Sequence, residues 1–286
     1  MSRSVDAVVV GLGAMGLPMA RNLTAVGLEV VGVEPSARRR ADAADLTTVA
    51  ALGQAPPSTS VLAMVATAEQ FAAVVDDALA AGPTEATWIL SGTLGVDAVL
   101  AQAERSRTIG ARIVDAPVTG GVAGATAGTL MLFVGGAETD IAAARPVLRA
   151  LGTAEVVGDR VGDGQMMKMV NQHLCSIHLA AAAEALSLAG RLGLDQQRAL
   201  ESLGRGAAGS WMLTDRGPRM LTPPETVNSS VDIFVKDSQL ALETAERVAA
   251  PVPVLAAARE HFLTAHRRGA GSADDSRVIA VLDPAS

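Results

Sequence analysis

Gly164, Lys168, Asn171, Cys175 and His178 follow one another at steps of four, three, four and three. In a helix that spacing puts all five on one face. A lysine and an asparagine one turn apart can share a proton transfer, the amine taking the proton and the amide orienting a partner. Gly162 and Gly164 come just before, so Lys168 falls in the first turns of the helix. There the helix dipole disfavours a cation. Burial would lower the amine further, from about 10.4 toward about 8, where it serves as a base at mildly alkaline pH. A solvated lysine starting a helix has the same letters. Cys175 reads as a small packing residue, because nothing near it in sequence favours a thiolate. His178 either touches polar groups of a ligand or is a satisfied core histidine. His173, His261 and His266 read as structural or surface residues.

A second pattern stands near the N-terminus. Gly11-Leu12-Gly13-Ala14-Met15-Gly16 fits G-x-G-x-x-G. A β-branched run, Val5 to Val10, precedes it, and a helical pattern from about Ala14 to Val26, closed by Gly27, follows. The first glycine permits a tight turn. The second lets backbone approach a pyrophosphate, and the third lets helix pack on strand. The helix N-terminus adds free N–H groups. Glycines also serve ordinary turns, but in this β-α-β context the loop reads as a dinucleotide site. Glu34 ends the next strand, Glu29 to Val33. An acid there can accept from both adenosine ribose hydroxyls and repels a 2′-phosphate, which favours NAD over NADP. Arg38, Arg39 and Arg40 follow closely and can recruit that phosphate, so NADP stays open.

The elements that must position these groups follow from periodicity. Ser60 to Val65, Thr87 to Leu90 and Arg112 to Val114 read as strands. Helices around Glu69 to Ala80 and Val96 to Arg107 separate them. Such alternation implies a parallel sheet covered on both faces. Thr129 to Val134 and Glu155 to Val157 extend it. Thr119, Gly120 and Gly121 form a turn after a strand, on the side where such sheets bind ligands. Their N–H groups and the Thr119 hydroxyl can cradle a carboxylate, although a tight turn that merely needs glycine looks the same. The texture changes near Gly158. A long helix runs from about Gln165 to Leu192, and the remainder reads as helix punctuated by glycine and proline. The expected fold is therefore α/β: a Rossmann-type domain over 1–162, then an all-α domain over 163–286, joined by the long helix.

Composition narrows the chemistry. The chain has 286 residues, enough for two domains, and 49% of them are hydrophobic. A net charge of -7 argues against nucleic acid as a partner. No apolar run is long enough to predict a membrane span. Cys175 is the one cysteine, which fits a reducing, cytoplasmic setting. The sequence holds no tyrosine, which removes every hydride-transfer mechanism that needs a Tyr acid. One cysteine and four histidines make a catalytic zinc site a poor fit, so no metal is expected.

Four blocks together resemble the β-hydroxyacid dehydrogenases, the family that includes 3-hydroxyisobutyrate dehydrogenase and tartronate semialdehyde reductase. They are the glycine loop continuing to Ala20; Asp115-Ala-Pro-Val-Thr-Gly-Gly121; Gly162-Asp-Gly164 with Lys168 and Asn171; and Lys236-Asp237. Ser210-Trp-Met212, Val231 to Asp237, Ile177 to Glu184 and Asp274 to Ile279 are similar to its L-threonate dehydrogenase branch. The resemblance implies an NAD(P)-dependent oxidation of a small hydroxy acid at its CH–OH group. It makes Lys168 the acid–base with Asn171 beside it, and Thr119, Gly120 and Gly121 the substrate-binding turn. His178 is then a candidate for the substrate's distal hydroxyls. Val65 and Thr93 join the glycine loop as cofactor-binding residues, and Lys236 covers the cofactor with Asp237 in support. It also implies a homodimer or homotetramer. The chain departs from the family at Thr119, where serine is usual and the hydroxyl is kept, and at Ser91-Gly92-Thr93 and Ala66, of which the latter two bear on substrate choice. Two other classes keep the fold: an imine reductase, which Lys168 counts against, and a non-catalytic dinucleotide sensor, which Lys168 and Asn171 count against.

Overall fold

A computed structural model describes residues 4–282. The chain divides into two compact units between Lys168 and Met169. The first begins with strand β1 (Val5–Val10), helix α1 (Gly16–Ala25), β2 (Val30–Val33), α2 (Ala37–Asp42) and β3 (Thr47–Val49). It continues with β4 (Ser58–Ala63), α3 (Ala68–Ala81), β5 (Thr87–Leu90), α4 (Val96–Arg107) and β6 (Arg112–Asp115). The last part is β7 (Val118–Thr119), α5 (Gly121–Ala127), β8 (Leu130–Gly135), α6 (Glu138–Leu151) and β9 (Gly152–Gly158). The strands form one sheet in the order β3-β2-β1-β4-β5-β6-β8-β7, with β9 paired to β8.

Burial on both faces explains the near-continuous apolar strands. Side chains alternate across the sheet. Ala7, Val9, Leu62, Ile89 and Val114 enter one core with α1, α5 and α6. Val8, Val10, Val61, Trp88 and Ile113 enter the other with α3 and α4. The sheet is parallel from β3 to β6, while β8 runs antiparallel to β6 and β7. A parallel crossover takes about a dozen residues or more. Only Gly120 to Thr129 separate β7 from β8, fewer than that, so β8 returns antiparallel to β7.

Helix α7 (Asp163–Arg191) starts in the first unit. The second unit adds α8 (Gln196–Gly204), α9 (Trp211–Leu221), α10 (Val231–Arg247) and α11 (Pro253–Ala265). No strand is assigned there among the described residues, apart from an isolated bridge between Ser230 and Asp274. Leu179, Leu186, Leu213, Phe234 and Phe262 form its core, with the two phenyl rings 5.2 Å apart. No helix among the described residues is long and apolar enough to cross a membrane.

A charge cluster fastens α9 to the C-terminal turn. Arg216 bonds Asp275 through Nε and Nη2, at 3.1 and 3.0 Å, and also meets Asp215. Arg219 bonds Asp274 at 2.6 Å and Asp215 at 2.9 Å. Burial pushes the Asp275 carboxyl up despite Arg216 beside it. Losing one partner would strand a buried charge. Arg216→Met is accordingly expected to lower unfolding free energy by about 3–5 kcal/mol, measured by denaturant titration, because the Asp275 carboxylate keeps its burial and loses its fork.

Candidate active site

The glycine loop is shaped by close approach. Gly11 has φ +89°, and a Cβ there would lie 2.4 Å from the Met64 carbonyl oxygen. A Cβ on Gly16 would lie 1.8 Å from the Gly11 carbonyl oxygen, so α1 sits directly on the turn. A Cβ on Gly13 would meet nothing nearer than Arg39 Nη1 at 4.0 Å, so the backbone there is open to a ligand. Leu12 is buried, Ala14 is exposed, and Met15 precedes the first turn of α1. Beside the loop lies a cleft of about 380 Å³ lined by Gly13, Ala14, Arg38, Arg39 and Val122, among others. These residues fit a dinucleotide pyrophosphate: open backbone N–H, a helix start and two guanidinium groups.

Glu34 does more here than its position implied. Its Oε2 accepts from Leu12 N–H at 3.1 Å and its Oε1 from Ser36 N–H at 3.0 Å. Arg39 stands 3.7 Å away. The carboxylate therefore staples the loop to the end of β2, with 4% of its side chain exposed. Arg40 turns away and donates to the Glu34 and Pro35 carbonyls, at 2.7 and 2.8 Å.

The other arms of the first unit meet at a pair that the motifs did not reveal. Asp115 ends β6, and Gln165 lies in the first turn of α7; both are fully buried. Asp115 Oδ2 accepts from the Gly162 and Gln165 backbone N–H groups, at 3.1 and 2.7 Å. Its Oδ1 accepts from Gln165 Nε2 at 3.1 Å. The same Nε2 donates to the Gly92 carbonyl at 2.9 Å, and Gln165 Oε1 accepts from Leu94 N–H at 3.1 Å. One amide thus ties the loop that carries Thr93 to the end of β6 and to α7. A glutamine inside the glycine-lysine segment was the available signal. Lys168 comes one turn later and is 6% exposed.

Thr119 ends β7, Gly120 has φ +123° and Gly121 φ +62°. Both glycines occupy backbone that side chains disfavour, so the turn needs them for conformation as well as for any ligand. Val65 and Thr93 are half-buried, just beyond β4 and β5. In the second unit Asn171 and His178 are half-buried on α7. Lys236 Nζ lies 2.6 Å from Asp237 Oδ1 on α10.

Residues 6–162 match the family described as the NAD binding domain of 6-phosphogluconate dehydrogenase. Residues 162–282 match the NAD-binding family of NADP-dependent 3-hydroxyisobutyrate dehydrogenase. An L-threonate dehydrogenase of Cupriavidus necator is 35% identical over 289 residues, covering 99% of this chain and 97% of its own. The chain belongs to the β-hydroxyacid dehydrogenase family. A 3-hydroxyisobutyrate dehydrogenase of Pseudomonas aeruginosa is 33% identical, covering 90% of this chain and 91% of its own. The crystal structure of 3-hydroxyisobutyrate dehydrogenase from Salmonella typhimurium superposes with a TM-score of 0.89 at 29% identity, covering 97% of this chain and 99% of that one. This hydroxyacid dehydrogenase is thus an NAD(P)-dependent enzyme acting on the CH–OH group of a small substrate.

Burial pushes the Asp115 carboxyl up from 3.8 to about 6, against its three N–H bonds and with Asp163 adding to the rise. A proton then binds the folded state more tightly than the unfolded one. The contribution of Asp115 to stability is full below about pH 4 and declines as pH rises to about 6. Asp115→Asn has no proton to exchange in this window. The unfolding free energy of wild type minus that of the variant is expected to fall by roughly 3 kcal/mol between pH 4 and pH 7. Paired denaturation curves across that range measure it, and a flat difference would contradict the assignment.

Proposed function

We propose that this dehydrogenase oxidises the 2-hydroxyl of L-threonate, or of a sugar acid of that class, to the 2-oxo acid. The observation that carries the mechanism is the burial of Lys168 in the second turn of α7, one turn beyond the bonded Gln165. Lysine is seldom buried without a task or a partner. The substrate comes from the relatives: the Cupriavidus enzyme and one of Pectobacterium atrosepticum, 32% identical, are both named L-threonate dehydrogenase.

Thr119 Oγ1 and the Gly120 and Gly121 N–H groups would hold the substrate carboxylate. That fixes the C2 hydroxyl for Lys168, whose neutral amine accepts the hydroxyl proton as the carbonyl forms. When bound, the nicotinamide supplies the hydride acceptor. In the reverse direction the Lys168 ammonium returns the proton. Asn171, one turn along, orients the amine or the substrate, and His178 stands two turns further for distal hydroxyls. Val65, Thr93 and Lys236 contact the cofactor. Glu34 supports a preference for NAD, since its carboxylate would repel a 2′-phosphate; Arg39 is the residue that would meet such a phosphate. The exposed Met166, Val170 and Leu174 on α7 support a homo-oligomer.

A second substrate has its own support, the similarity to the Salmonella 3-hydroxyisobutyrate dehydrogenase. NADH formation at mildly alkaline pH separates the two, with L-threonate run beside 3-hydroxyisobutyrate, D-glycerate and L-serine. Saturable turnover of L-threonate alone is the expected result. Turnover of another acid keeps the reaction and discards the substrate. Lys168→Ala is expected to lower kcat by about 10²–10⁴-fold while the protein still binds NADH, read by nucleotide fluorescence. Normal turnover in a folded Lys168→Ala protein sinks the mechanism.

A further inference from the structure

We propose that Asp237 and Gln172 are positioning residues that fix which end of the Asn171 amide faces the reacting groups, so that it presents oxygen rather than nitrogen. The inference rests on the place given above to Asn171 in the reaction.

An amide side chain has nearly the same shape after a half-turn, so its neighbours must choose its polarity. Here the choice starts at a group that can only accept. Asp237 lies on α10 and is 3% exposed, with Lys236 Nζ 2.6 Å from its Oδ1. Its Oδ2 is 2.5 Å from the Gln172 side-chain amide. A carboxylate has no hydrogen to give, so the Gln172 atom that faces it is Nε2. The Gln172 oxygen is thereby at the other end, where it accepts from Asn171 Nδ2 at 2.8 Å. The second Nδ2 hydrogen points to Cys175 Sγ at 3.4 Å. Both Asn171 hydrogens are spent, and Oδ1 is the atom that turns toward a donor. A substrate hydroxyl and a lysine ammonium are both donors. Gln172 is 6% exposed, so water cannot readily replace either of its bonds.

The opposite setting would aim an NH2 group at the proton being transferred. Two donors face to face lose the bond and keep the desolvation cost. Sequence separation hides the relay, since Gln172 and Asp237 are 65 residues apart.

The test inverts the relay and then restores it. Asp237→Asn keeps shape but can donate, which lets Gln172 turn over and Asn171 present nitrogen. We expect kcat at saturating cofactor to fall about tenfold, with thermal melting retained. Asn171→Asp alone sets a carboxylate against the Gln172 oxygen and is expected to lose about 100-fold or more. Combined with Asp237→Asn, the inverted Gln172 can donate to that carboxylate, whose other oxygen again faces the reacting groups. The double variant is expected to exceed Asn171→Asp alone in kcat by about tenfold. Losses that simply multiply overturn the proposal. Should Asp237→Asn melt early, Gln172→Lys is the substitute: its ammonium keeps a donor toward Asp237 but offers Asn171 no acceptor, and should lower kcat without raising the KM for the hydroxy acid. An unchanged kcat there also overturns it. A wild-type enzyme silent on every hydroxy acid would defeat the functional reading instead. Neutron diffraction of the wild type then decides the relay alone: deuterons on the Asn171 atom facing Gln172 support it, and deuterons on the opposite atom refute it.

Discussion

Asp115 has exchanged water for three N–H bonds, two from the backbone at Gly162 and Gln165 and one from the Gln165 side chain. An ionised carboxylate left unsatisfied in that position would cost several kcal/mol, so the three donors cannot drift from it cheaply. The end of β6, the loop after β5 and the first turn of α7 are held together by that requirement. Thr93, Thr119 and Lys168 sit within four residues of these anchors. Their relative placement in the first unit is therefore a by-product of satisfying one buried anion, and no chemical group needs a scaffold of its own.

The same logic recurs at smaller scale. Glu34 holds the phosphate loop through the Leu12 and Ser36 amides, and Asp237 orders the amides of the second unit. In each case an acceptor-only group sets the direction of the donors around it. The guanidinium fork of Arg216 at Asp275 joins two buried groups, one that only donates and one that only accepts.

Much of the first unit was legible because β1, β2 and β5 are buried on both faces and the turns at Gly11 and at Gly120-Gly121 need glycine. Thr87–Leu90 and Val96–Arg107 fall where periodicity put them. The three-residue β3 was missed, since Thr47 and Thr48 give no alternation to detect. Helix α6 was missed because its charged start and internal Pro146 break the helical pattern, although Ile141, Ala144, Val147 and Leu148 pack inward. The reversal of β8 depends on pairing, which single-strand patterns do not contain. Among site residues, the glycines and Lys168 stood out by type and spacing. Gln165 and Gln172 did not, because an amide becomes informative only when its partners are known. Those partners lie 50 to 73 residues away for Gln165. Glu34 was read for its ligand, whereas its bonds go first to its own loop.

Strand order also sets a timetable. β1 emerges first from the ribosome, yet both strands that flank it in the sheet, β2 and β4, come later in the chain. The turn at Gly11 closes against Met64, so the nucleotide platform cannot take shape until that stretch has been synthesised. Asp115 must then wait for Gly162 and Gln165 before its burial is tolerable. Domains generally fold as units, N-terminal first. Lys168 is thus among the last residues of the first unit to be fixed, and a nascent chain can own its glycine-loop platform before that buried amine is in place.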